Sequence, residues 1–498
     1  MVRNLVEIAS WSKFNFFDDK VLYYRRLADT SSLGKEYQNN MAPYDRQKKS
    51  SVYKFNAGYL AKDGFKYLIV PAKKENGKQF MQLKKKNSDE FVVEKRQDGK
   101  YLVISGKMEG KKHDWLINEP DLKAEKIPVP KEDIRAYEND DNRYVDKKNK
   151  DDFMKKDGNL LRLLNIGLEK LVPCFYVLWK DTSGRERVSF GHTGYFRLAY
   201  KKSVGDHIPE HISKANLIDM TDAIFGKEAE FAGRVFFEDA VLVPGHNNIY
   251  MDEVSPKILS GPKATTFQHY LEQKTSNVKT LSHWNSPDAD IRGNKMYWHK
   301  NINDNELSWR EEVVNPDTQH TVIRPVRPLL KFVGRIRFEN LSEEELGALL
   351  FVLALPGNHY HKLGMGKPLG LGSVKITPKL IITSRLERYL KLFSGEGWAL
   401  AEKPGVIDAF ITQFEQYIME HLRHSNSNDL GNAKTLWDTE RLRQLKCMLD
   451  WQNTVIPGWS EKTRYMEIEH PNPQARNGTE NEYKNRPVLP DPEKVVKT

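Results

Sequence analysis

The segment from residue 331 to residue 378 combines a strand, a helix and a glycine-rich loop, and it constrains the fold more than any other feature. Apolar and cationic side chains alternate along residues 331–338, which predicts a strand with one packed face and one cationic face. Ser342 and Glu345 have the spacing of a capping box, and leucines at helical spacing extend the predicted helix over 342–354. A closing strand is predicted at 373–378. These elements indicate an α+β fold.

The loop between this helix and the closing strand is marked by four glycines and a lysine: Gly364, Gly366, Lys367, Gly370 and Gly372. Glycine permits positive φ and carries no Cβ, so backbone N–H groups can approach a phosphate closely. The loop is not a P-loop, because a proline follows the lysine, and its glycine spacing is one residue too long for a dinucleotide fingerprint. A phosphate-binding loop and a plain glycine-rich linker both fit this composition.

The overall charge favours a polyanionic partner. The 498 residues include 78 Lys+Arg against 68 Asp+Glu, a net charge of +10, so nucleic acid is favoured over a membrane surface. No apolar run of about 18 residues and no secretory signal is apparent, and we expect a cytoplasmic protein. The two cysteines, Cys174 and Cys447, are too far apart in sequence to indicate a disulfide framework or a zinc ribbon.

Positive charge concentrates between residues 45 and 112, where 18 Lys+Arg face 8 Asp+Glu. Short apolar runs at 67–70 and 101–104 alternate with turn residues, which predicts small β-hairpins with solvated lysine edges. Such charge either contacts nucleic acid or protects exposed strand edges from pairing. Residues 115–160 are charged and interrupted by proline, so we interpret about 18–170 as an insertion.

Other patterns place the remaining elements. An apolar stripe predicts a helix at 2–13, and a short helix followed by a strand at 231–241 is predicted after Leu217. An excursion at about 250–325 is rich in cations and aromatic residues. Residues 379–498 are interpreted as a helical C-terminal extension.

The order of a capped helix, a glycine-rich loop and a closing strand resembles the RAMP superfamily of CRISPR-associated proteins. Five further blocks look like a branch of that superfamily found in type III-like systems: L-I-D-M-T-D-A-I-F-G, R-V-F-F-E-D-A, S-P-K-I-L-S-G-P-K-A-T-T-F-Q-H-Y-L, R-G-N-K-M-Y-W-H and R-P-V-L-P-D-P. The resemblance spans nearly the whole chain. It implies a discontinuous ferredoxin-like (RRM-like) core over residues 1–378, with the insertions at about 18–170 and 250–325.

The resemblance also implies a function. Such proteins are glycine-rich-loop, RNA-binding subunits of antiviral effector complexes, in which they hold CRISPR guide RNA, complementary target RNA and other subunits. The implied RNA-binding positions are the five loop residues, the strand cations Arg335 and Arg337, and a set in the thumb-like excursion. That set is Lys263, Phe267, Tyr270, Arg292, Lys295, Tyr297, Trp298 and His299. No cofactor or membrane partner is expected.

Catalytic candidates are weak. Asp19, Asp219 and Asp222 could serve metal-assisted RNA cleavage, although the last two more readily favour a helix N-terminus through its dipole. His359 and His361 fit a hydrogen-bonded surface pair better than a metal site. In the family resembled, the catalytic aspartate lies upstream of the first helix, so we expect no catalytic residue. A metal-dependent ribonuclease subunit and a general single-strand RNA-binding protein are the alternative functions.

On the same resemblance, the first strand of the core would lie between its third and fourth strands and would precede the helix at 2–13. No segment of the sequence fills that place. We therefore expect a shortened or split subunit that accepts a strand from elsewhere.

Overall fold

The computed structural model describes most of the chain. The described residues are 1–25, 31–47, 49–84, 91–105, 113–138, 160–165, 170–181, 183–213, 217–259, 264–301, 309–311, 320–394, 401–464 and 486–497. Lys263 of the predicted interface lies outside them.

The described α-helices are α1 (Val2–Ala9), α2 (Ser32–Met41), α3 (Lys131–Glu138), α4 (Leu160–Asn165), α5 (Glu210–Ser213), α6 (Met220–Phe225), α7 (Phe267–Tyr270), α8 (Glu343–Leu353), α9 (Arg385–Leu390), α10 (Ile407–His424), α11 (Glu440–Leu449), α12 (Trp459–Lys462) and α13 (Pro492–Lys497). The strands are β1 (Val21–Tyr24), β2 (Tyr44–Asp45), β3 (Ser50–Ser51), β4 (Asn56–Asp63), β5 (Lys66–Pro71), β6 (Phe80–Lys84), β7 (Phe91–Lys95), β8 (Tyr101–Ser105), β9 (His113–Ile117), β10 (Ile127–Val129), β11 (Leu171–Lys180), β12 (Glu186–Gly191), β13 (Leu198–Ser203), β14 (Gly226–Lys227), β15 (Phe231–Ala232), β16 (Val235–Phe237), β17 (Val241–Leu242), β18 (Phe332–Val333), β19 (Ile336–Phe338), β20 (His361–Lys362), β21 (Ser373–Val374), β22 (Ile381–Thr383) and β23 (Glu402–Pro404).

The first half of the chain is a β-rich module. A five-stranded sheet has the order β10-β5-β4-β11-β12, and a four-stranded sheet has the order β6-β9-β8-β7; all their ladders are antiparallel. Phe55, Phe80 and Phe175 pack around Trp115 with ring centroids 5.0–5.9 Å from the indole. Aromatic pairs at such distances add to the stabilisation from burial.

The hairpins predicted in the basic region are confirmed. The apolar runs at 67–70 and 101–104 lie in β5 and β8, which pair with neighbouring strands. The five-stranded sheet continues beyond residue 170, because β11 pairs with β4 over six residues and with β12 on its other side. The region interpreted as an insertion therefore shares its sheet with the two strands that follow it.

A second apolar core, apart from that of the β-rich module, is formed by helices that pack against short strands. Helix α8 packs on α1 and α10, burying Leu349, Phe351 and Phe414. A Cβ added at Gly347 would overlap the carbonyl oxygen of Phe410, so glycine lets α8 and α10 approach closely. The capping box predicted for α8 is confirmed: the Ser342 hydroxyl accepts from the Glu345 N–H, and the Glu345 carboxylate accepts from the Ser342 N–H.

Helix α1 is shorter than predicted, ending at Ala9 instead of continuing to residue 13. The Ser10 hydroxyl donates to the carbonyl of Val6 at 2.7 Å, and Trp11 adopts a φ of 51°. A serine side chain that competes for a helix carbonyl, followed by a left-handed residue, stops the helix.

The continuous strand predicted at 231–241 is wrong in detail. Three short strands replace it because the chain changes partner: β15 pairs with β14, β16 with β19, and β17 with β18. The strand predicted at 331–338 is correspondingly split into β18 and β19, and the closing strand is limited to β21. Val235, Ile336 and Ile376 pack on the same helical core.

The excursion after residue 250 contributes to the core of the β-rich module. Phe267, Leu271, Leu281 and Trp284 are each at most 3% exposed and belong to that module's apolar cluster. The segment from residue 486 to residue 491 returns to the same place, where Val488 packs against the cluster. No helix of the described segments has the length and apolar character needed to cross a membrane.

Candidate nucleic-acid interface

The glycine-rich loop connects β20 to β21, which pair as an antiparallel ladder. Its four glycines all have positive φ, at 88° for Gly364, 66° for Gly366, 101° for Gly370 and 76° for Gly372. A single 3-10 turn, Lys367–Leu369, lies between the two central glycines. L-residues with side chains adopt such φ values at a cost of about 1–2 kcal/mol, so the backbone path requires glycine.

The surroundings of the four glycines differ. A Cβ added at Gly372 would overlap the carbonyl oxygen of Leu363, and at Gly370 it would lie 2.8 Å from the Cβ of Lys300. At Gly366 it would lie 2.7 Å from the side chain of Leu371. Gly364 differs because no heavy atom lies within 4 Å of an added Cβ. The first three glycines shape the loop, whereas Gly364 presents open backbone to an approaching group.

Two lysines lie beneath the loop. The Lys362 ammonium donates to the carbonyl oxygens of Gly370 at 2.7 Å and Leu371 at 3.0 Å, and the residue is 7% exposed. Burial, reinforced by Lys300, lowers the pKa of Lys362 to about 7. Burial, with Lys257 nearby, lowers the pKa of Lys300 to about 8. The underside of the loop therefore carries positive charge that an anion would stabilise.

His299 lies in the interior beside this pair. Its Nε2 donates to the carbonyl of Tyr360 at 3.0 Å, and its Nδ1 accepts from the Ser373 hydroxyl at 2.8 Å. Burial, with Lys362 nearby, lowers the pKa of His299 to about 3, so the ring is neutral. At 1% exposure, it positions β21 and has no surface left for a base.

Most of the other predicted positions in the excursion are part of the packing. Phe267 is fully buried, and Tyr270 packs against the same cluster. Arg292 donates to the carbonyls of Leu489 and Pro490. Aromatic rings interleaved with cations indicate a nucleic-acid surface only if the rings are exposed.

The stretch around Tyr297 is more accessible. The Lys295 ammonium lies 5.3 Å from the centroid of the Tyr297 ring, and Lys295 is exposed. The Trp298 ring packs edge to face on Trp459 at 5.0 Å and is half-buried. Together with His299, these three are the predicted RNA-binding residues of the excursion that lie nearest in sequence to Lys300, which is beneath the loop.

These observations place a cationic glycine-rich loop after a capped helix. Residues 146–375 match the RAMP superfamily model. The matched RAMP region contains the excursion, α8 and the entire glycine-rich loop. The match covers a little under half of the chain and supports a RAMP protein. No protein with a curated description matches the chain.

The matched residues also include the predicted cationic strand face. Arg335 is exposed, and no ion pair with it occurs within the described ranges. Arg337 is bound to Glu238 at 3.1 Å and lies over the Phe236 ring at 5.3 Å. Phe236 and Phe237 are 41% and 51% exposed, so this ribbon presents rings and cations together.

Lys300, Lys362 and Met365 were not among the predicted site residues. Met365 is 90% exposed at the loop tip, where an apolar side chain has no packing role. The two lysines are adjacent to predicted residues in the sequence, but only the tertiary structure brings them together. No local spacing could have indicated that Lys362 is buried and Lys300 half-buried beneath the loop.

The weak catalytic candidates have structural partners. Asp219 caps α6, accepting from the Asp222 N–H at 2.8 Å, as the helix-terminus interpretation predicted. The Asp222 side chain is 2% exposed and pairs with Lys13 at 3.1 Å and Arg3 at 3.5 Å. Asp19 accepts from the Gly205 N–H at 2.9 Å. All three carboxylates thus stabilise connections between segments.

The two histidines ahead of the loop also bind backbone carbonyls. His359 contacts the carbonyl oxygen of Pro356 at 2.6 Å, and His361 contacts that of Val352 at 2.7 Å. The hydrogen bonding was predicted correctly, but the surface location is wrong for His361, which is 1% exposed. Within the described ranges, no three His, Cys, Asp or Glu side chains gather to hold a metal ion.

Proposed function

We propose that this chain is a CRISPR RNA-binding backbone subunit of a type III-like effector complex, in which it holds guide RNA and its duplex with target RNA. The observation that carries the proposal is the glycine-rich loop lying over the buried Lys362 and the half-buried Lys300. The RAMP match supports RNA as the class of ligand and other subunits as partners.

The loop offers a phosphate a bare backbone on its outer side and positive charge on its inner side. A phosphate at Gly364 would meet no protein side chain there. At an effective dielectric constant of about 20, two unit charges several ångströms apart attract by about 2 kcal/mol, so the two lysines favour a phosphate without touching it. Such binding follows the RNA backbone and does not read its sequence.

We assign the ribbon formed by β16 and β19 to contact with the guide–target duplex. Its exposed Phe236 and Phe237 rings and the Arg335 side chain can stack on bases and pair with phosphates. In this proposal the core extends over residues 1–378, with the insertions at about 18–170 and 250–325. Residues 379–498 form the C-terminal extension.

Replacing Gly364 with alanine is expected to weaken guide-RNA binding at least 5-fold, because the new methyl group occupies the side from which a phosphate approaches. Gly77→Ala is the matched control: its φ is 76°, and no atom lies within 4 Å of an added Cβ. Both variants carry the same backbone strain and should lose similar thermal stability. Filter binding with a guide-length RNA measures the difference. Equal RNA affinity in the two variants would remove the loop from the interface.

We propose further that another strand completes the sheet between β19 and β21. Val235 and Ile336 of the β16–β19 ladder pack on the same helical core as Ile376, which follows β21, and no strand joins the two ladders among the described residues. By the alternation of the ladder, the amides of Ile336 and Phe338 face away from β16. An unpaired strand edge is a template for another strand.

Amide exchange tests this completion. In the isolated chain, the amides of Ile336, Phe338 and Ser373 should exchange rapidly, and the Arg337 amide, which faces β16, should be the protected control. In the effector complex purified with its subunits, the first three amides should slow at least 10-fold, while Arg337 changes little. Exchange of Ile336 and Phe338 that stays equally rapid in the complex would exclude an added strand.

A further inference from the structure

The β-rich module contains a cavity of about 370 Å³, separate from the glycine-rich loop. It is formed by parts of β1, β4, β11, β12 and β13 together with the α2 and Asn285 regions. Its volume falls within the range of small-molecule sites, about 300–1,000 Å³. The proposed RNA-binding role does not involve this cavity.

The lining is electropositive. Lys54, Lys180 and Lys201 all line the cavity, and no aspartate or glutamate does. Across the described ranges, no carboxylate forms an ion pair with any of the three ammonium groups. Unpaired lysines around a concave surface favour an anionic ligand.

Two carboxylates close to the cavity, those of Glu36 and Asp181, are already bound, and Glu186 faces Lys180 across the β11–β12 ladder without an ion pair between them. Glu36 accepts from the Asn285 amide at 2.5 Å and lies 3.4 Å from His283. Asp181, next to Lys180, accepts from the Ser183 hydroxyl at 2.7 Å and from Arg185 at 2.9 Å. These bonds partly neutralise Glu36 and Asp181, and neither residue lines the cavity.

The remaining lining suits a flat, polar ring. Three amide side chains line the cavity, those of Asn40, Asn56 and Asn285. The Asn285 amide is bound at both ends, accepting from the Lys201 N–H at 2.7 Å and donating to Glu36 at 2.5 Å. Asn40 and Asn56 are therefore the amides that can both donate to and accept from a base edge. Trp179 and Tyr24 add aromatic surface. The indole N–H of Trp179 is held by the Ser189 hydroxyl at 2.9 Å, which fixes the ring.

We propose that this cavity binds a single nucleotide, with the phosphate on the lysines and the base among the amides and aromatic rings. Aromatic surface, amide groups and cations without carboxylates match the base and phosphate of a nucleotide. The nucleotide comes either as a free mononucleotide or as one residue of an RNA strand. The site does not depend on the glycine-rich loop.

Calorimetric titration of the full chain with AMP, GMP, CMP and UMP tests the proposal. We expect at least one nucleotide to bind, and the matching nucleoside and inorganic phosphate each to bind at least 10-fold more weakly. The double variant Lys54→Ala/Lys201→Ala should lose at least 10-fold in affinity. Lys180 is left in place because it faces Glu186 across the β11–β12 ladder. The control Lys66→Ala removes an equally exposed lysine from β5 and should bind normally.

A cross-linking experiment with RNA distinguishes a free mononucleotide from a nucleotide that belongs to an RNA strand. If no free nucleotide binds, a photo-cross-link from RNA to β11 that the double variant abolishes assigns the cavity to a nucleotide of the strand. The proposal is overturned if neither free nucleotides nor RNA reach the cavity, or if the double variant binds like the wild type. The Gly364→Ala variant should bind nucleotides like the wild type, because the cavity is separate from the glycine-rich loop. A wrong assignment of the loop would therefore leave the nucleotide titration unchanged.

Discussion

Asp222→Ala is expected to lower the free energy of unfolding by about 3–5 kcal/mol, because it leaves a buried cation without its partner. The Asp222 carboxylate lies 3.1 Å from the Lys13 ammonium, and both side chains are at most 7% exposed. This pair joins the segment after α1 to α6. Urea denaturation, monitored by tryptophan fluorescence, measures the loss.

Two variants keep this test interpretable. Asp219→Asn keeps the cap on the Asp222 N–H but loses the bond that the other carboxylate oxygen accepts from the Lys13 N–H, so it should cost about 1–2 kcal/mol, less than Asp222→Ala. The double variant Lys13→Met/Asp222→Leu removes both buried charges and should recover much of the stability that Asp222→Ala loses. If the double variant recovers this free energy of unfolding, the Asp222 carboxylate stabilises the fold by pairing with Lys13.

The same variants address the ribonuclease alternative. If Asp222 held a catalytic metal, Asp222→Ala would abolish metal-dependent RNA cleavage while changing stability by less than about 1 kcal/mol. The carboxylate is instead 2% exposed and paired with two cations. We therefore expect the stability loss to dominate, and a stable but cleavage-deficient variant would contradict this assignment.

The sequence predicted best those features that depend on neighbouring residues. The capping box of α8 needs only Ser342 and Glu345 at the correct spacing, and Asp219 needs only the turn that it caps. The runs at 67–70 and 101–104, which lie in β5 and β8, were recognised as hairpin strands because apolar runs bounded by turn residues are local signals. Partner changes such as that between β15 and β16 depend on distant segments, so local alternation could not place them.

The candidate site was predicted less completely for the same reason. The glycines of the loop were recognised by composition, but Phe267 and His299 looked like RNA-binding residues because an aromatic ring beside a cation has the same pattern whether buried or exposed. Lys300 and Lys362 acquire their role only from burial beneath the loop. Burial of a polar side chain is set by tertiary packing, which local spacing does not encode.

Lys362→Met is expected to weaken RNA binding about 10- to 100-fold at pH 6. The substitution keeps the length of the side chain but removes its charge and both hydrogen bonds to the loop carbonyls of Gly370 and Leu371. At an effective dielectric constant of about 20, removing one unit charge beneath the loop removes an attraction to the phosphate of about 1.5–3 kcal/mol, and each 1.4 kcal/mol is tenfold in affinity. Fluorescence anisotropy with labelled guide RNA measures the change. A variant that binds RNA normally at pH 6 would exclude Lys362 from the interface.

The dependence on pH gives the same lysine a second test, with opposite signs for binding and stability. RNA favours the charged ammonium, so wild-type affinity should be highest below about pH 7. It should fall first as Lys362 loses its proton, with a pKa of about 7, and then as Lys300 does, with a pKa of about 8.

The pH dependence of stability has the opposite sign. Without RNA, folding favours the neutral amine, because both pKa values lie below the ordinary value of about 10.4. The unfolded chain then binds more protons than the folded one, and stability should rise between about pH 7 and pH 10. Lys362→Met should flatten both curves, leaving only the part due to Lys300. A wild-type protein whose RNA affinity is constant from pH 6 to pH 9 would show that these two lysines do not respond to the bound phosphate.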